Sequence, residues 1–447
     1  MAYTFRGGIR PDDHKYTKHS RIELIEQPNT VSIPLSQHVG AMCRPTVTVG
    51  DKVCVGQLIG DIPGGLGCPV HSSVSGTVKG VEEITTAYGG VSYNIIIEND
   101  HQNTVASTVH PFGKRLADAT YEEIVAVIRN AGIAGMGGTA FPTYAKIAAA
   151  RGNVVSAIIN CCEGEPFVTI NRRLILEKAE DVIGGAKILM VALGIRKASI
   201  CIEKNKKAEI AKLRDVTVSE TMLSVTPVSN KYPSGSEKQL VYALTKSEIP
   251  EGKTAIECGY VTFSAETCVA VYEAFATGMP LVKRYITVDG DCIPKPRNLC
   301  VPIGTSASFV IDKCGGLCNY AKKVIFGGPM MGQAQWDVNA PVSKTTSAIL
   351  VFSEYFDRES RLDLVCIRCG RCVKACPMKL MPLEIAACVK KGKADAAEEL
   401  FAARCIECGA CTHVCPGGMP LTQLVARDKT DILSRRRTAR EEQNGKK

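Results

Sequence analysis

The chain has 447 residues, 45% of them hydrophobic and 22% charged, with a net charge of +9. That length allows about three or four domains, and the composition is that of an ordinary soluble globular protein. No uninterrupted apolar run approaches the ~20 residues of a membrane helix. The first residues, MAYTFRGGIRPDDHK, lack the apolar core of a signal peptide, so a cytosolic protein is expected. Part of the positive charge lies in the tail SRRRTAREEQNGKK. No base-stacking or groove-reading motif accompanies it, so nucleic acid is not expected as a partner.

Residues 30–100 read as short strands between Gly/Pro turns, in TVSIPL, TVTVGDKV, SGTVKGVEE and YNIIIEND. The pairing of VTVGDKVCVGQLIG with PVHSSVSGTVKG resembles the barrel-sandwich fold of biotinyl and lipoyl carrier domains. Those carriers present a lysine between the two halves. The interval from Val53 to Val78 has none, which excludes a swinging cofactor and predicts a docking module.

From residue 112 the pattern changes to alternating helices and strands. Thr120 and Glu123 form a capping box ahead of YEEIVAVIRN, and Gly132 stands at the expected helix stop. GIAGMGGTAFPTYAKI follows, then the strand NVVSAIIN, with NCCEGEP beyond its carboxyl end, where open α/β sheets bind ligands. RRLILEKAEDVIGGAKILMVAL reads as one helix. The strand ASICIE, the helix NKKAEIAKLR and the strand MLSVTPV then continue toward a mainly parallel sheet. The loop NKYPSGSEKQL opens another helix. After Gly278, RYITVDGDCIPKP, LCVPIG and SASFVIDKCGG suggest a small α+β module ending near Phe352.

Gly135, Gly137 and Gly138 let a backbone approach a phosphate or an isoalloxazine edge, and their N–H groups can form an anion nest. This glycine run follows a helix rather than a strand, so a tight helix-to-helix turn is an equally open reading. Glu163 and Glu165 beyond a strand end can accept from ribose hydroxyls or flavin N–H groups, or can be solvated surface acids. Cys161 with Cys162, and Cys314 with Cys318, are pairs whose reactivity depends on exposure.

The strongest signal is the repeated CxxCxxCxxxCP, at Cys366, Cys369, Cys372 and Cys376 and again at Cys405, Cys408, Cys411 and Cys415. In two-cluster ferredoxins the last cysteine of each run ligates the other cluster. Cys366, Cys369, Cys372 and Cys415 are therefore expected to hold one [4Fe-4S] cluster, and Cys405, Cys408, Cys411 and Cys376 the second. Zinc sites, built from separated CxxC pairs, leave the triple spacing unexplained. Between the runs, MPLEIAACVKKGKADAAEELFAARC has helical texture, favouring a helical ferredoxin domain over a βαβ one.

Together GMGGTAFPTYAK, NCCEGEP, KYPSGSEKQL, FGGPMMG and the twin cysteine runs resemble the RnfC family, the peripheral NADH-oxidising subunits of ion-translocating Rnf ferredoxin:NAD⁺ oxidoreductases. The flavin domain of that family is similar to the flavin-binding subunit of respiratory complex I. The resemblance implies a multidomain α/β and α+β chain in four parts. These are a barrel-sandwich hybrid over 1–111, an FMN/NADH-binding α/β domain over 112–279, a β-grasp-like (SLBB) module over 280–352 and a helical ferredoxin domain over 353–447. It further implies that Gly135, Gly137, Gly138 and Lys146 cradle FMN, with Asn160 and Glu163 completing its cavity. Phe141 would stack on the nicotinamide side, Glu165 and Glu237 would face the NADH ribose or nicotinamide, and Tyr232 and Gly235 would belong to the same wall. The implied partners are NADH and the other subunits of a membrane-bound Rnf-type complex, with the chain peripheral on the cytoplasmic side of the cell membrane.

Some positions depart from the complex I pattern. Met136 stands in place of an arginine, Cys162 in place of a small or acidic residue, and Phe263 and Ser264 in place of amides. Glu266 and Thr267 fit it. These departures leave a flavin-less electron wire as one alternative, and a soluble flavin and iron-sulfur reductase similar to cobalamin reductases as another. The leading barrel-sandwich segment argues against the latter.

Overall fold

The computed structural model describes residues 3–85, 91–138, 140–356 and 365–444. Its first part pairs two small antiparallel sheets. One has the order Thr30–Pro34, Val91–Asn99, Gly76–Thr85, Lys52–Val53, and the other Arg44–Pro45, Leu58–Asp61, Val70–His71. Val31 lies opposite Ile97 and Ile33 opposite Ile95, all four fully buried. Each such side chain contributes about 1.5–3 kcal/mol on leaving water, enough for two short sheets to close on one another.

The central domain is a four-stranded, wholly parallel sheet in the order Leu223–Val228, Ala198–Glu203, Ser156–Asn160, Tyr260–Ser264. Numbered along the chain this order is 3-2-1-4. The direction of winding therefore reverses between Ser156–Asn160 and Tyr260–Ser264, and a crevice opens beyond their carboxyl ends. Asn160 and Ser264 end those two strands, directly opposite each other in register. The capping box forms as expected. Glu123 donates its N–H to the Thr120 hydroxyl at 3.2 Å, and the Glu123 carboxylate accepts from the Thr120 N–H at 3.0 Å.

The helix read as continuous after NCCEGEP breaks at Lys178, giving Ile170–Glu177 and Ala179–Leu193. Lys178 leaves the helical conformation and ties to Asp181 at 2.7 Å and Glu273 at 3.2 Å. This turns the second helix onto Ala265–Thr277. The contact needs a glycine, since a Cβ on Gly185 would lie 1.8 Å from the Cys268 carbonyl oxygen.

A mixed six-stranded sheet follows, in the order Ile22–Leu24, Arg297–Pro302, Lys283–Asp289, Ala348–Ser353, Ala321–Phe326, Gln333–Gln335. The helix Ala307–Lys313 covers a separate core that includes Ile286, Val288, Val301, Val310, Ile311 and Val351. Beyond it the cysteine runs lie among helices Arg371–Ala375, Pro382–Lys390, Ala394–Glu399, Ala410–His413 and Leu421–Asn444, around Leu380, Ile385, Ala397, Val425 and Ile432. Among the described residues no helix is long and apolar enough to cross a membrane.

The resemblance places the leading residues in the barrel-sandwich part over 1–111. Residues 3–24 do not join the leading sheets but lace the other parts together. Tyr3 bridges to Val228, Ile9 to Tyr232, the Gly8 N–H donates to the Ala375 carbonyl at 2.9 Å, and Ile22–Leu24 edges the six-stranded sheet. A second fastener is Lys344, only 1% exposed, whose ammonium donates to the carbonyls of Pro69 and Gly132 at 2.7 Å each.

Candidate functional site

The crevice at the sheet's winding reversal is the inner end of a cavity of about 1610 Å³, walled by the α/β domain, the barrel-sandwich face and the six-stranded sheet. Pockets for one small ligand run to roughly 1,000 Å³, so this one has room for two. Gly135, Gly137, Gly138, Phe141, Lys146, Asn160, Glu163, Glu165, Tyr232, Gly235 and Glu237 all line it.

Their roles differ. Gly135 spends its N–H on the Phe141 carbonyl at 2.8 Å and its carbonyl on the Ala140 N–H at 3.1 Å, closing a turn. Gly138 lies at φ +100°, with nothing near the position of a Cβ. Among the described residues neither Gly137 nor Gly138 donates its N–H to the protein, so the loop offers bare backbone to the crevice. Opposite it begins helix Ala265–Thr277, with its positive end toward the loop. Ser264 caps that helix by accepting from the Thr267 N–H at 3.2 Å, and Thr267 Oγ1 accepts from the Met136 N–H at 3.3 Å. Ser264 does here what an asparagine does at an N-cap. Met136 and Phe263 are core residues, 4% exposed each, with the Lys146 ammonium 5.6 Å from the Phe263 ring centre.

Lys146 donates to the Thr262 carbonyl at 2.7 Å and stands 3.4 Å from the Glu237 carboxylate. Asn160 is a clasp, donating to the Gly235 carbonyl at 2.8 Å and accepting from the Cys162 N–H at 3.1 Å. Glu163 turns its carboxylate to the first amides of helix Ile170–Glu177, with Asn171 N at 2.6 Å and Arg172 N at 3.3 Å, so it positions the loop. Burial raises its pKa, against the pull of Lys15 and Lys206.

Glu165 faces the cavity and accepts from the Tyr232 hydroxyl at 3.3 Å and the Met330 N–H at 3.0 Å. Burial pushes its pKa up to about 7. The Thr262 hydroxyl, on the cavity wall, is buried without a partner among the described residues. Bare amides, a helix N-terminus and an unanswered hydroxyl fit a phosphate-bearing planar cofactor such as FMN.

The eight cysteines fall into the two crossed sets. Cys376, Cys405, Cys408 and Cys411 line one small cavity, and Cys366, Cys369, Cys372 and Cys415 another. Zinc would draw four sulfurs to ~2.3 Å from one point. Among the described residues no three His, Cys, Asp or Glu side chains converge on a single ion. Spread thiolates around a cavity instead suit a cubane, in which each sulfur meets its own iron. Backbone N–H groups donate to the sulfurs at 3.3 Å, from Leu380 to Cys376, Glu407 to Cys405 and Arg368 to Cys366. The inner set touches the large cavity, because Cys408 and Ile406 line both. In the outer set Cys366 and Cys369 are exposed.

Comparison with known proteins matches residues 3–102 to the RnfC barrel sandwich hybrid domain, 128–273 to the Nuo51 FMN-binding domain and 365–419 to a 4Fe-4S dicluster domain. One subunit of the Na(+)-translocating ferredoxin:NAD(+) oxidoreductase complex of Acetobacterium woodii is 38% identical over 400 residues, covering 88% of this chain and 89% of that protein. The chain belongs to the RnfC family. Other members include the corresponding subunit of the proton-translocating complex of Clostridium ljungdahlii, 37% identical over 89% of this chain and 87% of its own length. Its counterpart in the ion-translocating complex of Rhodobacter capsulatus is 36% identical over 90% and 78%. Beyond the RnfC family, a chain of an NAD+-reducing [NiFe]-hydrogenase, crystallised in the H2-reduced state, shares the fold at a TM-score of 0.50. It is 18% identical, with 71% of this chain and 62% of that one covered.

The family motifs left several residues of this RnfC site unassigned. Lys15, half-buried, donates to the carbonyls of Glu163, Glu165 and Val168 at 3.0, 2.6 and 2.5 Å and so shapes the whole NCCEGEP loop. A lone lysine far away in sequence gives no local signal. FGGPMMG belongs to the site through Met330 and through Gly328, where a Cβ would lie 2.2 Å from the Glu165 carboxylate. Its run of glycines was the available clue. Cys161 and Cys162 are buried, with pKa values held well above the ordinary thiol range by burial, and Cys314 is buried with its pKa pushed up to about 11, so all three are inert.

Proposed function

We propose that this chain exchanges electrons between NADH and a membrane-bound, ion-translocating Rnf-type complex, docked on its cytoplasmic face. The observation that carries this reading is that Cys408 and Ile406 of the inner cysteine set share one cavity with Gly137, Lys146, Glu165 and Tyr232. A nucleotide-sized site and a one-electron relay are thus adjacent. FMN bound there would supply the conversion of a hydride into two single electrons and a proton given up to solvent, which iron-sulfur clusters, accepting one electron at a time, require.

The chain's own residues would supply binding and order. The amides of Gly137 and Gly138, with the start of helix Ala265–Thr277, would hold the phosphate, and Lys146 would add a positive charge beside it. Phe141 would stack on the nicotinamide side. Glu237 and Glu165 would bind ribose hydroxyls, and the Glu237 charge would repel a 2′-phosphate, which favours NADH over NADPH. Glu163, Asn160 and Lys15 would act by positioning the loop that carries Glu165. Cys376, Cys405, Cys408 and Cys411 would hold the first cluster, and the outer set the second, whose exposed Cys366 and Cys369 would face the partner. Hydride transfer needs no acid or base from the protein, so the geometry itself does the work.

The test is an anaerobic NADH titration of purified protein followed by visible and EPR spectroscopy. Flavin bleaching followed by reduction of at least one cluster is expected. Zinc in place of iron and labile sulfide, or clusters without stoichiometric flavin, would overturn the proposal.

A further inference from the structure

Most charged side chains on the cavity wall are already answered by the protein. Lys146 stands against Glu237, Glu266 against Arg284, Glu163 against two helix amides, and Glu165 against Tyr232 and Met330. Lys238 is different. It is half-buried, yet among the described residues no carboxylate or carbonyl accepts from its ammonium.

Its position matters. Lys238 is the second residue of helix Glu237–Thr245. It lines the cavity whose wall includes Cys408 and Ile406, and also a groove beside Pro377 and Met378, which follow Cys376. Burial lowers its pKa first, then the like charges of Lys429 and Arg404, while Glu237 and Cys405 pull the other way. Lys429 donates to the Cys405 carbonyl at 2.9 Å and pairs with Glu407, and Arg404 pairs with Glu248 at 3.2 Å. Those two cations are therefore partly neutralised by direct partners, whereas Lys238 has the adjacent Glu237 as an opposite charge but no hydrogen-bonded acceptor among the described residues. Around the outer set Arg368, Arg371, Lys374 and Lys390, which reaches Met419 on that cavity's wall, are all exposed and so screened by water and salt.

We infer that Lys238 raises the reduction potential of the cluster held by Cys376, Cys405, Cys408 and Cys411, which favours that cluster as acceptor of electrons leaving the cavity. The inference rests on the two-cluster reading above. One-electron reduction adds a negative charge to a centre already ringed by four thiolates, and cluster potentials follow local charge and solvent exposure. A half-buried cation with no hydrogen-bonded counter-charge, in a groove that borders Pro377 and Met378, stabilises the reduced form more than an exposed or paired one does. A lysine ammonium is no ligand to iron, so Lys238 acts on the cluster through its field.

The test is an EPR-monitored dithionite titration of the full chain with its clusters, the two signals being assigned with Cys369→Ser, which alters the outer one. Lys238→Met is expected to lower the inner midpoint by an amount equal to a roughly tenfold change in the reduced-to-oxidised ratio, ~59 mV for one electron. The outer midpoint should stay in place, and Lys238→Arg should restore the inner one. Lys238→Gln gives the same comparison should Lys238→Met fail to take up clusters. An inner midpoint that does not move, or an equal shift of both clusters, overturns the inference. Absence of cluster signals in the unsubstituted chain would instead overturn the functional reading beneath it.

Discussion

Replacing Lys15 by methionine should uncouple the acidic loop from the cavity while leaving the cysteine cavities intact. The Lys15 ammonium donates to three carbonyls at 2.5–3.0 Å inside the protein. Hydrogen bonds to a charged group contribute about 1.5–3 kcal/mol each, and each carbonyl left buried without a donor carries its own cost. Against this stands the relief of no longer desolvating an ammonium, several kcal/mol. The net loss is therefore ~3 kcal/mol, concentrated in residues 160–168. If flavin binding must restore the loop at that cost, its affinity falls by roughly 100-fold, since each 1.4 kcal/mol is tenfold. Quenching of flavin fluorescence on titration into flavin-free protein reads the affinity, and amide exchange over residues 160–168 reads the loop. An affinity within threefold of the unsubstituted chain, with unchanged exchange, would refute the reasoning and make Lys15 a bystander.

Burial pushes Glu165 from an ordinary 4.5 up to about 7, so between those values the folded chain holds the proton that the unfolded chain has lost. Stability therefore falls as pH rises through that window, by up to ~3 kcal/mol, and Glu165→Gln should remove the fall. Melting temperatures of both proteins at pH 5 and pH 8 check this, and parallel profiles would count against it. Arg284 and Glu266, 1% and 6% exposed, form a buried pair between two domains. Arg284→Met should cost about 3–5 kcal/mol by stranding the carboxylate, and adding Glu266→Gln should recover most of it, as read by thermal unfolding. Gly7 lies at φ +63°, and a Cβ there would sit 2.3 Å from the Cys376 carbonyl oxygen. Gly7→Ala should release the leading segment from the ferredoxin domain, read as faster amide exchange at Gly8, with unchanged exchange refuting the contact.

Local signals settled much of this molecule. The capping box at Thr120 and Glu123, the helical texture between the cysteine runs and the strand ending at Asn160 all follow from short-range patterns that neighbouring residues complete among themselves, whereas the strand Tyr260–Ser264 had no reading from sequence. The cysteine spacing likewise carried its own chemistry, since one turn of loop suffices to present three sulfurs. Tertiary structure alone decided what each cavity residue does. Glu163 and Glu165 are one residue apart in sequence, yet one caps a helix and the other faces the cavity. The difference comes from Lys15 and Met330, more than a hundred residues away on either side. A side chain's partners across such distances depend on how domains pack, and that packing is set by summed burial over many residues rather than by any motif. The single continuous helix expected before Leu193 failed for the same reason, because the pull of Glu273 on Lys178 arises only once the two helices meet.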